Sequence, residues 1–148
     1  MQKEILLEIL DQNQSNCAFT FKDINEENIN FRLNENTASV GFIYRHIGET
    51  TNTLGRFLGM ETDVMDTTMG QLDNGQRYDL EMSHKLMEQG YKMLAALIKN
   101  LPDEDWLEEV EASFFGKISR IRLFSIVLFH NSHHCGQIAS AIVKGKAY

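Results

Sequence analysis

The stretch "FHNSHHCGQIASAIV", residues 129–143, places three histidines within five positions near the end of a chain that has five in all. Around them the residues keep a helical period: Leu123, Val127, His130, His134, Ile138 and Ala141 step by four, three, four, four and three. Residues four apart on a helix differ by only about 40° and rise about 6 Å. The stripe expected to face a core therefore stacks His130 and His134 on one side, where both rings can converge on one ion. His133 sits about 100° from His134, outside the stripe with Ile126. It could pair instead with His130 at i,i+3, but the apolar register favours His130 and His134.

Outward from this stretch, helical periodicity dominates. The last helix is expected from about Ser119 to Val143, ended near Gly145. It is apolar nearly all round from Ile121 to Phe129, as suits a central helix or one shared with a partner subunit. An opening helix carries Ile5, Leu6, Ile9 and Leu10 on one side. After the polar connection of residues 22–39, a second helix begins near Asn36–Thr37, either of which can cap it. It shows Val40, Ile43, Ile47, Thr50, Leu54 and Phe57 at steps of three and four and stops around Gly59. Residues 60–76 read as loop or short turns, with Asn74-Gly75 a turn signal.

The third helix is expected from about Tyr78 to Asn100, with a stripe of Leu86, Gly90, Met93, Leu97 and Leu101, and Pro102 closes it. "DEDWLEEVEA", residues 103–112, reads as one or two turns and "SFFGK", residues 113–117, as a break at Gly116. Period-two alternation is weak, so little sheet is expected. The fold class that follows is all-α, a four-helix bundle over residues 1–148 as a single domain, with one or two short extra helices. The long second connection permits a topology other than simple up-down winding.

Bulk composition narrows the function. A length of 148 residues, 43% hydrophobic with one proline, suits one compact domain. Fourteen basic residues against 21 acidic ones set the formal charge at −7, and the longest basic cluster is the sparse "KISRIR", residues 117–122. Nucleic acid needs a basic footprint and is excluded as an expected partner. Cys17 and Cys135 form no CxxC pair and fit a reducing cytoplasm. The amphipathic N-terminus is interrupted by Glu4 and Glu8, unlike a signal peptide, and no uncharged run approaches membrane-spanning length.

Two imidazoles do not complete a site. His46, in "IYRHIGETT", lies at the edge of the second helix's stripe beside Ile43 and Ile47. Glu49, at i+3, could be a fourth ligand, an acceptor that orients an imidazole, or a base. Taken alone, a histidine such as His46 is more often a hydrogen-bonded boundary residue. Three unpaired imidazoles facing one core would be costly to desolvate, and a shared metal satisfies all three. His84 and His133 read as solvated surface residues. "EMSH" is a single Glu-x-x-His, where carboxylate-bridged di-iron bundles use two. Nitrogen donors therefore dominate, favouring one zinc, nickel, iron or manganese ion.

"HNSHHCGQI" is similar to the His-x3-His-Arg-Gly-Gln motif of the DinB-like superfamily, the damage-inducible and YfiT-type four-helix bundles. "TASVGFIYRHIGE" resembles that family's second-helix signature, a Ser-led helix start before a ligand histidine. The resemblance spans nearly the whole chain. It implies one divalent metal held by His46, His130 and His134 and a bundle that is frequently dimeric. It also implies chemistry with low-molecular-weight thiols such as bacillithiol, mycothiol or glutathione. One departure stands out: Cys135 occupies the position where the family often has Arg. Gly136 could admit a neighbouring helix, and Gln137 could cap or support the site.

The expected function is that of a metal-dependent enzyme acting on a small molecule, a thiol-dependent transferase or a hydrolase, with Glu49 the nearest base. Three neutral ligands leave the ion its charge and an open position, which suits catalysis more than structure. The alternative is a non-catalytic, homodimeric metal-binding or interaction bundle. Met60, Met65, Met69 and Phe57 are candidates to line a substrate pocket, with ordinary core and loop packing the more frequent use of such residues.

Overall fold

The computed structural model describes residues 1–148. Four helices form a bundle: α1 (Gln2–Phe21), α2 (Val40–Phe57), α3 (Leu80–Asn100) and α4 (Arg120–Lys144). A short 3-10 helix (Asp103–Leu107) and a hairpin of β1 (Glu109–Ala112) and β2 (Gly116–Ser119) join α3 to α4. No helix is long and apolar enough to cross a membrane.

Contacts along the helices give their directions. The Lys3 ammonium reaches the Lys99 carbonyl, whereas the Tyr91 hydroxyl donates to Asn13, so α1 and α3 run antiparallel. His46 meets His130 while Thr51 donates to Asn131, and Ile43 lies beside Gln137 and Ala141, so α2 and α4 also oppose. By contrast, a Cβ on Gly48 would meet Leu86 and one on Gly90 would meet Thr51, so α2 and α3 are parallel. The winding is therefore up-down-down-up. Parallel neighbours cannot be joined by a tight turn, so residues 58–79 must travel back along the bundle. That return brings the loop past the middle of α2.

The central helix is α2. Thirteen of its eighteen residues are buried, whereas α4 leaves Phe129 and Val143 largely exposed. Its expected stripe is on the inside, but its start lies later than Asn36–Thr37: Ser39 is the N-cap, accepting from the Phe42 N–H at 3.3 Å. Asp73 fixes Ser39 in turn by accepting from its backbone N–H at 2.7 Å and from Arg32 at 2.8 Å. Asp79 caps α3, whose first residue, Leu80, lies two past the expected start.

Three other expectations are corrected. On α1 the buried face is Leu6, Leu10, Asn13 and Cys17; Ile5 and Ile9 are exposed, because Asn13 must reach the Leu128 carbonyl and the Ser132 hydroxyl on α4. "EVEA" and "GKIS" form a hairpin rather than turns and a break, with Ala112 and Ile118 turned inward. Its tight connection depends on Gly116 at φ +65°, a backbone region that costs other residues energy. Gly136 admits no neighbouring helix within the chain: an added Cβ would have nothing within 4 Å.

The helix contacts give a paired stability prediction. Alanine at Gly48 would put its Cβ 2.9 Å from the Leu86 Cβ and 3.3 Å from the Met87 nitrogen, and Gly48→Ala should destabilise the protein by about 1–3 kcal/mol. Gly136→Ala, mid-helix in open space, should stabilise it by about 0.5–1 kcal/mol. Urea unfolding of the two variants checks both signs.

Candidate metal centre

His46 on α2 and His130 and His134 on α4 come together at half-buried positions, with one ligand atom of each within 4.8 Å of the others. The register is the one the helical period predicts, since α4 turns Leu123, Val127, Ile138 and Ala141 into the core and the two imidazoles project from the edge of that face. His133 and His84 do not join them. His133 is exposed and stacks on Phe129, and His84 contacts the Tyr44 hydroxyl and Glu88 at the surface.

Each ring is held on its outer nitrogen. His46 Nδ1 lies 3.2 Å from the Thr68 hydroxyl, which itself donates to Glu49 Oε2 at 2.9 Å. A hydroxyl has one hydrogen, so Thr68 accepts from His46 Nδ1–H. His134 Nδ1–H donates to Gln137 Oε1 at 2.6 Å, the supporting contact expected of Gln137. His130 Nδ1–H points at Asn131 Oδ1 at 3.4 Å, and that oxygen also accepts from Thr51. These contacts favour the Nδ1–H tautomer, which turns the Nε2 lone pairs inward; the Nε2 atoms of His46 and His130 stand 3.1 Å apart.

In metal-free protein one ring can donate to the other across that distance; with both hydrogens on Nδ1, the two lone pairs face a common point that a cation can occupy. Ligands at about 2.0–2.1 Å from a tetrahedral zinc stand about 3.3 Å from one another. The donor set therefore fits a divalent metal.

The rings are also neutral. Desolvation first, and then the neighbouring His134, push His46 down to about 4 against the opposing influence of Asp66. Desolvation, His134 and His46 push His130 to about 3, with the Asn131 contact opposing. Desolvation lowers His134 too, despite Gln137. Neutral imidazole is the form that binds metal.

Glu49 is almost fully buried and does not reach the histidines directly. Its carboxylate accepts from the Thr67 N–H at 2.7 Å and from the hydroxyls of Thr67 and Thr68, with Arg45 at 3.7 Å. Its connection to the site passes through Thr68 to His46. Thr67 and Thr68 belong to the crossover, where Asp66 Oδ1 accepts from the N–H groups of Thr68 and Met69 at 3.1 and 2.7 Å. Asp66, Thr67 and Thr68 are absent from the sequence-based set; the "DTT" triplet is a turn signal, but nothing local says which helix it turns toward.

Cys135 is buried beside Cys17, and the hydrogen bond to Cys17 together with burial pushes its thiol up. The position where the resemblance has Arg thus carries no charge here. Of the candidate pocket residues, Met69 lies beside the histidines, Met65 is exposed, and Met60 and Phe57 pack on the core.

Helices that hold imidazoles of two opposed elements at one point define a four-helix bundle with a three-histidine centre. The model of the DinB superfamily matches residues 9–138, and the chain belongs to that superfamily. Among solved structures, a four-helix bundle protein, TT2238, is similar with a TM-score of 0.65 at 13% identity, covering 90% of this chain and 95% of that one. At that identity the likeness is one of fold. No curated protein sequence matches the chain.

The depressed histidines predict a pH dependence for metal-free protein. Unfolded histidine titrates near about 6.5, so between about pH 6.5 and 4.5 the unfolded chain binds more protons and stability must fall as pH falls. The urea midpoint of chelator-treated protein should drop through this window, and His130→Gln should flatten the slope. A midpoint independent of pH there would contradict the burial of neutral rings.

Proposed function

We propose that the chain is a metal-dependent enzyme of the thiol-transferase or hydrolase kind, with His46, His130 and His134 as the ligands of one divalent ion. The observation that carries this reading is the convergence of the three rings, with the Nε2 atoms of His46 and His130 3.1 Å apart and an oxygen against the Nδ1 atom of each ring. A bound ion would supply Lewis acidity, lowering the pKa of a coordinated water or thiol and polarising an acceptor group.

The chain's own residues do the remaining work. Thr68 keeps the hydrogen of His46 on Nδ1, and Gln137 does the same for His134. The contacts of Glu49 support a positioning role for it, exerted through Thr68, better than that of a base, because its oxygens already accept from Thr67 and Thr68. The adjoining cavity, bounded by Met69 and the hairpin tip, supports catalysis over a closed, structural metal site. Buried, unpaired Cys17 and Cys135 fit a cytoplasmic setting. Pairing of two copies belongs to the same reading, supported by the exposed Phe129 and Val143 of α4.

Purified, untreated protein should contain about one divalent ion per chain by elemental analysis, and His130→Ala should lose it while keeping its helical circular dichroism. Thr68→Val, which removes the hydroxyl behind His46, should weaken metal binding by about 10–100-fold. Full metal content in His130→Ala would end the three-histidine assignment.

A further inference from the structure

Beside the imidazoles lies a cavity of about 310 Å³, near the small end of the range for ligand pockets, about 300–1,000 Å³. Its remaining walls are mainly Leu54 of α2, Met69 of the crossover, Phe114 and Phe115 of the hairpin tip, and Ile126 of α4. No Asp, Glu, Lys or Arg lines it. Phe114 and Phe115 are 64% and 43% exposed, although they sit side by side on a short, glycine-dependent turn. Two adjacent phenylalanines left in water over a cavity are apolar area that a ligand can cover.

The geometry points to a substrate in two parts: a heteroatom that reaches the histidines, and an uncharged aromatic or branched-alkyl body packed between the Phe114–Phe115 tip and Met69. The heteroatom half rests on the metal reading above; the body half rests on the walls alone. An anionic body is disfavoured at the Phe114–Phe115 end of the cavity, where the walls offer no counter-charge and burying an unpaired carboxylate is costly. The thiol class narrows accordingly to neutral thiols, with carboxylate-bearing peptide thiols a poor fit. Phe114 and Phe115 are then specificity-determining residues on an element that contributes no histidine.

The test uses full-length protein loaded with cobalt(II), its metal content measured first. Phenylmethanethiol and its para-carboxylate analogue are titrated while the cobalt absorption is followed. The neutral thiol should bind about tenfold more tightly. The Phe114→Ala/Phe115→Ala double variant should lose about tenfold for phenylmethanethiol with unchanged cobalt content and unchanged affinity for methanethiol. Equal affinity for the aromatic pair, or an unaltered double variant, overturns the inference. Protein that retains no cobalt overturns the metal reading instead. The same two thiols are then compared by calorimetry on metal-free protein, where the neutral one must still be preferred and lack of preference overturns the pocket assignment.

Discussion

A carboxylate buried in the middle of α2 organises this structure. Glu49 is 2% exposed, and leaving such a group unpaired would cost several kcal/mol, on the order of what holds a small domain folded. Arg45, one turn back, meets only part of that need at 3.7 Å. The other donors come from Thr67 and Thr68, roughly midway along a connection that the parallel pairing of α2 and α3 makes long. A loop that must return along the bundle is thereby fastened to the helix it passes. The same Thr68 hydroxyl that donates to Glu49 accepts from His46. One contact therefore serves both the fold and the centre, and loss of the carboxylate would release loop and ring together.

The histidine cluster was legible because it depends on short-range rules. Helical period assigns His130 and His134 to one face whatever the rest of the chain does, and the run from Val40 to Leu54 does the same for His46. Convergence then needs only two opposed helices packed at ordinary distance. The supporting shell was not legible for the complementary reason. Thr67 and Thr68 are unremarkable loop residues until the direction of α3 is known, and that direction depends on Gly48 and Gly90 permitting close approach. Glu49 was picked out by its spacing from His46, yet its orientation toward the crossover, with the rings reached only through Thr68, depends on those same distant threonines.

Smaller departures have similar causes. Ile5 and Ile9 lie on the face that local hydrophobicity would bury, but the hydrogen bonds of Asn13 to α4 and to Tyr91 rotate α1 away from it. Ser39 rather than Asn36 or Thr37 caps α2, because Asp73, thirty-four residues later, fixes its backbone. The hairpin leaves little trace in the sequence because its strands have four residues each and only Val110, Ala112 and Ile118 point inward. Tertiary contacts override local preference in the first two cases, and in the third the local signal is too short to register.

The helices that hold the imidazoles also supply the cavity walls Leu54 and Ile126, whereas the walls Phe114, Phe115 and Met69 stand on a turn and a loop, and this has a physical consequence. The imidazoles stand on long helices whose registers are set by the core, so their positions tolerate little change: a shift large enough to separate the Nε2 atoms would also unseat Ile47, Val127 and Ile138, each wholly buried. Phe114 and Phe115 stand on the tip of a hairpin that packs through Val110, Ala112 and Ile118, and Met69 stands on a loop fastened at Glu49. Substitutions at Phe114, Phe115 or Met69 therefore reshape the cavity without moving the nitrogens, whereas Thr68 on the same loop is tied to His46. A bundle built this way can hold its three histidines in place while the outer part of the adjoining cavity changes, since Phe114, Phe115 and Met69 carry little of the packing that sets the helix registers.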